Sequence, residues 1–211
     1  DRLRDRIERG GEGFDNIAGM VGWENIIIST LNTPANKRFE GMTVQDIAKA
    51  RGTDPVDCVC DMLIEENCAI TMIDFITCEE DIARILNCGF ASVISDSIYP
   101  ASGRPHPRLH GTYARIIQRF VGERRDMTLE TAVKAMTYTP AKALNIADRG
   151  LLKEGLCADV NVFDPAEVKE RGSYADPGKC AAGMDYVFVN GKPAIAAGEL
   201  TGGAFGQVIR R

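Results

Sequence analysis

The apolar positions in the first fifty residues change from strand-like to helix-like spacing. The run from Trp23 to Ser29 is rich in β-branched side chains and predicts a strand. Thr43 stands where a helix N-cap is expected and Gly52 where a helix ends, so a helix is predicted to finish at Arg51. This part of the chain therefore predicts a strand followed by a helix.

Two more helices are predicted, separated by a short strand at residues 69–73. Asp54 before Pro55 combines an N-cap with a proline in the first helical turn. Thr77 and Glu80 have the spacing of a capping box, which opens a helix that ends at Gly89. The apolar faces predicted for these two helices are Val56, Val59, Cys60, Leu63 and Ile64 in the first, and Ile82, Ile85 and Leu86 in the second.

The run from Phe90 to Asp96 is mostly apolar and ends in a carboxylate, which predicts a buried strand. A helix followed by such a strand is typical of α/β architecture with a parallel sheet. A proline-rich loop then leads to a helix predicted from His110 to Arg124, and Thr128 and Thr139 mark the beginnings of two more. The apolar face of the helix after the loop is predicted to contain Tyr113, Ile116, Ile117, Phe120 and Val121.

The pattern changes from helical to β spacing near Gly150. Residues 158–164 alternate between apolar and polar side chains, as a half-buried strand does. Residues 186–195 predict two strands joined by Asn190 and Gly191, a pair typical of tight hairpin turns. We therefore predict a boundary near residue 150, with a helical α/β part at 1–150 and a small antiparallel β part at 151–211.

Composition and charge exclude several classes of protein. The 211 residues carry a net charge of −5, which argues against binding to nucleic acid or to anionic membranes, since both need a basic face. No apolar run approaches the ~20 residues that span a bilayer. The charged start of the chain, Asp1 to Arg6, is unlike a signal peptide. We expect a cytoplasmic globular protein with no nucleic-acid or membrane partner.

The seven cysteines do not form a disulfide pattern. Their number is odd and most lie in apolar helical or strand patterns, which predicts buried, reduced thiols. Cys58, Cys60 and Cys68 could suggest zinc, but a spacing of one residue is unlike that of zinc sites, and no second pair or His follows. Packing in the core is therefore the preferred interpretation of this group.

Several motifs in the chain resemble those of a known enzyme family. They are the stretches 141–146, 150–155 and 158–164, together with Asp176-Pro177, the hairpin at 187–191, residues 198–202 and the upstream stretches 23–26 and 50–55. The combination resembles the C-terminal portion of the N-acyl-D-amino-acid deacylases (D-aminoacylases) of the amidohydrolase superfamily. The resemblance implies part of a (β/α)8 barrel, namely an inserted subdomain and the last strand and helix, followed by C-terminal β-sandwich strands.

By the same resemblance, Asp96 is the catalytic carboxylate and a metal ligand. It would take a proton from the attacking water and pass it to the leaving amide nitrogen. The alternative is a carboxylate that caps a turn or pairs with Arg104. Relatives tend to have Ser-Asp-Gly here, whereas this chain has Ser95-Asp96-Ser97, so the backbone after Asp96 is open to a different turn.

The resemblance assigns substrate binding to the segment Arg-Pro-His-Pro-Arg at 104–108. Arg108 is expected to bind the α-carboxylate of the substrate through its guanidinium group. His106 is expected to assist in substrate binding, and the alternative for both is a solvated loop residue. Pro107 disfavours one continuous helix through His106 and His110, so the two histidines are not expected to form a helical metal pair.

The implied cofactor is zinc and the implied substrate a small-molecule N-acyl-D-amino acid, whose amide bond is hydrolysed. Such enzymes also use a His-x-His pair and further ligands that this chain lacks, so the chain alone is expected to be inactive. It is then expected to form homo-oligomers or to associate with the missing N-terminal half. The alternatives are a cyclic amidase (hydantoinase-like or dihydroorotase-like) and a non-catalytic relic or partner subunit.

Overall fold

The computed structural model describes residues 2–99 and 102–209. Contacts along the chain divide it into two compact units. Unit 1 contains Asp1–Cys78, Ser97–Pro107 and Ser173–Pro177, and unit 2 contains Glu79–Asp96, Arg108–Gly172 and Gly178–Arg211. The predicted boundary near residue 150 lies within unit 2, and whether it separates two domains stays a prediction.

Helices and strands are mixed along the chain. The α-helices are α1 (Arg2–Arg9), α2 (Ile17–Val21), α3 (Val44–Arg51), α4 (Pro55–Glu65), α5 (Glu79–Leu86), α6 (Arg108–Arg115), α7 (Leu129–Met136) and α8 (Tyr138–Ala143), and a π-helix at Ile116–Glu123 continues α6. The strands are β1 (Ile26–Thr30), β2 (Thr71–Asp74), β3 (Val160–Val162), β4 (Tyr186–Val189), β5 (Lys192–Ala196) and β6 (Glu199–Leu200). Among the described residues, no helix combines the length and apolar character needed to cross a membrane.

Unit 1 confirms most of the elements predicted from local signals. β1 pairs with β2 in an antiparallel ladder. Thr43 accepts the N–H of Asp46 at the start of α3, and Gly52 ends that helix in the left-handed conformation. Asp54 accepts two N–H groups at the start of α4, directly before Pro55. These caps satisfy backbone groups that have no partner within the helix.

The buried face of α4 differs from the predicted one. The structure buries Val56, Cys58 and Met62, whereas the predicted Leu63 and Ile64 are exposed. The apolar side chains of this helix cover more than one face, so their spacing alone does not fix which face meets the core of unit 1. That core combines Ile26, Ile28, Leu31, Phe39, Val44, Ile47, Ala48, Cys58 and Met62.

A buried carboxylate organises the chain after β1. Glu66, which follows α4, is only 4% exposed. It accepts the N–H groups of Asn32 at 2.6 Å and Thr33 at 3.0 Å, and the side-chain amide of Asn36 at 2.9 Å. Burial raises the pKa of the Glu66 carboxyl, but the hydrogen bonds outweigh burial and lower it to about 2.

The cysteine prediction is half confirmed. All seven cysteines are free, and Cys58 is fully buried with its Sγ 3.9 Å from Met62 Sδ, as core packing predicts. The prediction that the cysteines are buried is wrong for four of them, because Cys68, Cys78, Cys88 and Cys180 are exposed. These four lie at or beyond helix ends and in connections, where apolar neighbours in sequence do not guarantee a place in the core.

In unit 2, the predicted strand at 90–96 is wrong. The segment contains no regular secondary structure, and a backbone bond within unit 2 joins the N–H of Val93 to the carbonyl of Ala135 at 3.0 Å. Val93 is buried, whereas Phe90 and Ile94 are exposed. A strand needs a neighbouring strand to accept its ladder of hydrogen bonds, and the described part of unit 2 provides none for this segment.

The helices of unit 2 converge on one carboxylate. Glu79 is the first residue of α5. Its carboxylate accepts hydrogen bonds from Nη2 of Arg115 at 2.8 Å, Nη2 of Arg119 at 2.9 Å and Nη1 of Arg124 at 3.3 Å. The Arg119 hydrogen bond, with the neighbouring positive charges, lowers the pKa of Glu79. A π-helix has more residues per turn than an α-helix, so Arg119 and Arg124, five positions apart, lie closer to one face.

The predicted helix from His110 to Arg124 is thus an α-helix that continues as a π-helix. Its buried residues include Ile116, Ile117 and Phe120, as predicted, whereas Tyr113 is half exposed. In α5 the predicted face is partly wrong, because Ile85 is exposed while Ala83 and Leu86 are buried. The core of unit 2 is formed by Ala83, Leu86, Val93, Ile116, Phe120, Met127, Ala132 and Ala135, with a second cluster of Ala114, Ile117 and Val168.

The C-terminal sheet has the strand order β3-β4-β5-β6, and every pairing is antiparallel. The parallel sheet expected from the helix–strand rhythm is not present among the described residues, where both sheets are antiparallel. Asn190 and Gly191 both have positive φ, as the predicted hairpin requires. Arg149 donates to Asp159 and to Asn190 Oδ1, and Asp159 accepts the N–H of Asn190 at 2.8 Å. This cluster ties the chain before β3 to the turn between β4 and β5.

Candidate active site

Asp96 has an unusual backbone conformation at the end of the extended segment 90–96. Its φ is 45°, in the left-handed region that residues with a side chain seldom occupy. Aspartate tolerates this region better than most residues, and strained conformations of this kind concentrate at functional sites. In this chain the left-handed turn is made at Asp96 itself, directly before Ser97.

Asp96 forms an ion pair with Arg108, the first residue of α6. Nη2 of Arg108 donates to Oδ2 of Asp96 at 3.0 Å. The side chain of Asp96 is 74% exposed and that of Arg108 is 42% exposed, so water screens the attraction between them. The partner of Asp96 is Arg108, where the sequence alone had left Arg104 as the alternative. Two of the three predicted site residues thus meet within unit 2.

In unit 1, the proline-rich loop is held against the end of β1. Ser29 Oγ donates to the carbonyl of Arg104 at 2.8 Å, and the N–H of Arg104 donates to the carbonyl of Ser29 at 2.8 Å. Nζ of Lys37 donates to Ser102 Oγ at 3.1 Å. Both Ser29 and its neighbour Thr30 are buried, so the two bonds between Ser29 and Arg104 have little competition from water.

The close approach of the loop requires glycine at position 103. Gly103 has a φ of 98°, and a Cβ there would lie 2.5 Å from Thr30 Oγ1 and 2.8 Å from the carbonyl oxygen of Ser29. The second contact is to backbone, which cannot move aside cheaply. Any larger residue would therefore lift the loop from β1.

His106 lies in this loop and contacts Tyr174, an aromatic residue of unit 1. Its Nε2 is 3.3 Å from the hydroxyl of Tyr174, and the two rings meet edge to face with centroids 5.1 Å apart. Tyr174 also packs edge to face on Phe75 at 4.9 Å. α6 begins at Arg108, so His106 precedes the helix and His110 lies within it, as Pro107 predicted. No sequence pattern indicated Tyr174, which is 68 residues from His106.

The described residues do not form a metal site on their own. Among residues 2–99 and 102–209, no group of three or more His, Cys, Asp and Glu side chains is arranged to hold a metal ion. Zinc usually takes four ligands, three of them from protein in catalytic sites. Asp96 as a metal ligand stays a prediction, and it would need ligands from outside these residues.

These residues and this fold belong to a known class of hydrolase. Residues 33–195 match the model of the amidohydrolase family, which is most of the chain, and the chain belongs to that family. It is 36% identical over 173 residues to the D-aminoacylase of Alcaligenes xylosoxydans xylosoxydans. It is 37% identical over 162 residues to the N-acyl-D-glutamate deacylase of the same organism. These matches cover 82% and 77% of the chain but only 34% and 32% of the relatives.

Solved structures of proteins with the same enzyme names resemble the chain closely. The crystal structure of a D-aminoacylase that defines a novel subset of amidohydrolases superposes with a TM-score of 0.78 at 33% identity, covering 88% of this chain and 38% of that one. The N-acyl-D-glutamate deacylase from Bordetella bronchiseptica, complexed with zinc and a phosphonate inhibitor that mimics the tetrahedral intermediate, gives 0.78 at 35% identity, over 89% and 38%. The chain therefore spans about a third of the length of these relatives, and the predicted resemblance to N-acyl-D-amino-acid deacylases is confirmed.

Proposed function

We propose that the chain is the C-terminal part of a zinc-dependent hydrolase that deacylates N-acyl-D-amino acids. The observation that carries the proposal is the pairing of Asp96 with Arg108. It brings a group that can move protons next to a group that binds carboxylates. The named activities of the similar proteins, D-aminoacylase and N-acyl-D-glutamate deacylase, point to the same substrate class.

Asp96 is proposed as the catalytic carboxylate. In amide hydrolysis, water adds to the acyl carbon, the C–N bond breaks, and the amine nitrogen gains a proton as it leaves. A carboxylate that accepts the proton of the attacking water can return it to that nitrogen. The side chain of Asp96 is exposed and its backbone is left-handed, which suits a group that must be accessible to a substrate.

Arg108 is proposed to bind the α-carboxylate of the substrate. The guanidinium group already binds a carboxylate in this structure, that of Asp96. Its planar fork of donors matches a carboxylate and fixes the orientation of the substrate. His106 is proposed as a second substrate-binding group.

Zinc is proposed for the complete protein and not for this chain by itself. The described residues lack a ligand cluster, whereas a relative's structure contains zinc. On the same proposal, the chain supplies the last strand and helix of a (β/α)8 barrel, an inserted subdomain and part of a β-sandwich. The missing cluster also favours a second candidate function, a subunit that is active only after association with a partner carrying the other ligands.

The test begins with the polypeptide expressed from the complete gene, whose mass, zinc content and hydrolysis of N-acyl-D-amino acids are measured. Asp96→Asn should then lower kcat by about 10²–10⁴-fold, the usual contribution of a general acid–base group. Asp81→Asn is the matched control, because Asp81 is also an exposed carboxylate that pairs with an arginine, Arg84. Equal activity of the Asp96→Asn variant and the control would contradict the proposed role.

A further inference from the structure

A five-residue segment far along the chain belongs to unit 1. Ser173–Pro177 is part of this unit, although the residues before and after it belong to unit 2. The segment is a closed turn, because the N–H of Ser173 donates to the carbonyl of Asp176 at 3.0 Å and the reverse bond is 3.1 Å. Ser173 Oγ also accepts the N–H of Asp176 at 3.1 Å. Pro177, which follows the turn, is buried. The backbone that carries Tyr174 is therefore well fixed.

Tyr174 contacts His106 in two ways that together determine the placement of the imidazole. The edge-to-face contact of the rings, 5.1 Å between centroids at 78°, fixes the plane of the imidazole. The hydroxyl, 3.3 Å from Nε2, selects which ring nitrogen faces it. Phe75 supports Tyr174 by packing on its ring at 4.9 Å between centroids. The loop that carries His106 is held by the hydrogen bond from Ser29 to Arg104.

We propose that Tyr174 is a positioning residue that fixes the orientation and the tautomer of His106 for substrate binding. The inference rests on the proposed function, because it assigns a task to His106 in that reaction. A phenol is a better hydrogen-bond donor than acceptor, and a neutral imidazole nitrogen is a good acceptor. Tyr174 therefore donates to Nε2, and the ring proton of His106 lies on Nδ1.

A fixed tautomer has a direct use in binding. A neutral imidazole has a single N–H donor, and a carboxylate binds only to the nitrogen that carries it. Holding the proton on one nitrogen and the ring in one plane avoids the loss of side-chain freedom that binding would otherwise cost. Tyr174 thus prepares His106 to donate a hydrogen bond to the substrate without touching the substrate itself.

These 211 residues contain two histidines, so two variants assign their signals. Two-bond ¹H–¹⁵N spectra of the protein from the complete gene report the tautomers of His106 and His110, and the signals that disappear in His106→Gln and His110→Gln identify them. Tyr174→Phe keeps the ring contacts and removes the hydroxyl, and it should move His106 toward the Nε2–H tautomer while His110 stays unchanged. Tyr186→Phe is the control, since Tyr186 is similarly exposed and stacks on Phe188. An unchanged His106 tautomer in Tyr174→Phe would overturn the proposal.

A second measurement uses the enzyme from the complete gene. Tyr174→Phe should raise KM for the N-acyl-D-amino acid several-fold and leave kcat within about two-fold, which is the signature of lost uniform binding. An unchanged KM would also overturn the proposal. Absence of deacylase activity in the wild-type enzyme is a different result: it would overturn the proposed function and the substrate role of His106, while the spectra still decide whether Tyr174 sets the tautomer.

Discussion

Single residues stabilise this molecule most strongly where a buried polar group has several partners, as at Glu66. Its carboxylate accepts bonds from Asn32, Thr33 and Asn36. Glu66→Gln should lower the free energy of unfolding at pH 7 by about 2 kcal/mol, because the amide places a donor against donors that remain buried. Urea denaturation measures the change, with the more exposed Glu65→Gln as a control that should cost less.

The same residue predicts how stability depends on pH. The pKa of Glu66 is lowered from 4.5 to about 2 in the folded chain. Its contribution is therefore fully present above the unfolded value and is lost as the pH falls through about 2. The wild type should lose more unfolding free energy than Glu66→Gln between pH 5 and pH 2, and parallel pH profiles would contradict the assignment.

Residues whose task is local could be predicted from the sequence, and residues with distant partners could not. Thr43, Gly52 and Asp54 act within a few positions of themselves, so their roles as caps follow from the residue type. Ser29 and Arg104 are 75 residues apart, and no local pattern indicates that they meet. Asp96 and Arg108 were predicted as site residues through the family resemblance rather than through spacing, although they are only 12 positions apart and pair at 3.0 Å.

At the scale of elements, helix positions were predicted better than helix faces. α4 and α5 begin and end near the predicted residues, but each buries a partly different set of side chains. Apolar residues on these helices exceed those needed for one stripe, so the face is decided by the elements packed against it. The segment 90–96 has strand-like composition without a strand beside it, and composition does not provide the neighbour.

Three arginines around Glu79 connect α5 with α6 and the π-helix. Glu79→Gln should lower the free energy of unfolding by about 1–2 kcal/mol, because the arginines lose a common partner and repel one another. The loss should become smaller at high salt, which screens that repulsion. Glu123→Gln removes one exposed pair with Arg119 and should cost less than about 1 kcal/mol. Equal costs for the two variants would show that the three-arginine arrangement adds nothing.

At the scale of the whole molecule, large apolar side chains remain in contact with water. Phe90 is 80% exposed, Ile94 68% and Leu200 82%, and exposed apolar groups of this size promote association. We expect the 211-residue chain to self-associate at about 10–100 μM, the range in which exposed apolar surface drives aggregation. Sedimentation velocity should show the oligomers, and a monodisperse monomer would contradict the prediction.

Variants locate the surface responsible for association. The double variant Phe90→Ser and Ile94→Ser should shift the distribution toward monomer, because these side chains belong to the extended segment whose backbone has few partners. Leu200→Ser removes an equally exposed apolar side chain at the edge strand β6. If the two changes act alike, exposed apolar area in general drives the association and the segment has no special part.

Unit 1 is built from three separate segments of the chain, so it can be completed only late in synthesis. Its three pieces end at Cys78, Pro107 and Pro177, so the last arrives long after the first two have been synthesised. At about 5–20 residues per second, the 68 positions between His106 and Tyr174 take about 3–14 seconds to translate. During that interval the loop can already bind the end of β1, whereas the ring of Tyr174, which orients His106, has not yet been synthesised. A nascent chain stalled between those two residues would show the loop without the contact from Tyr174 to His106.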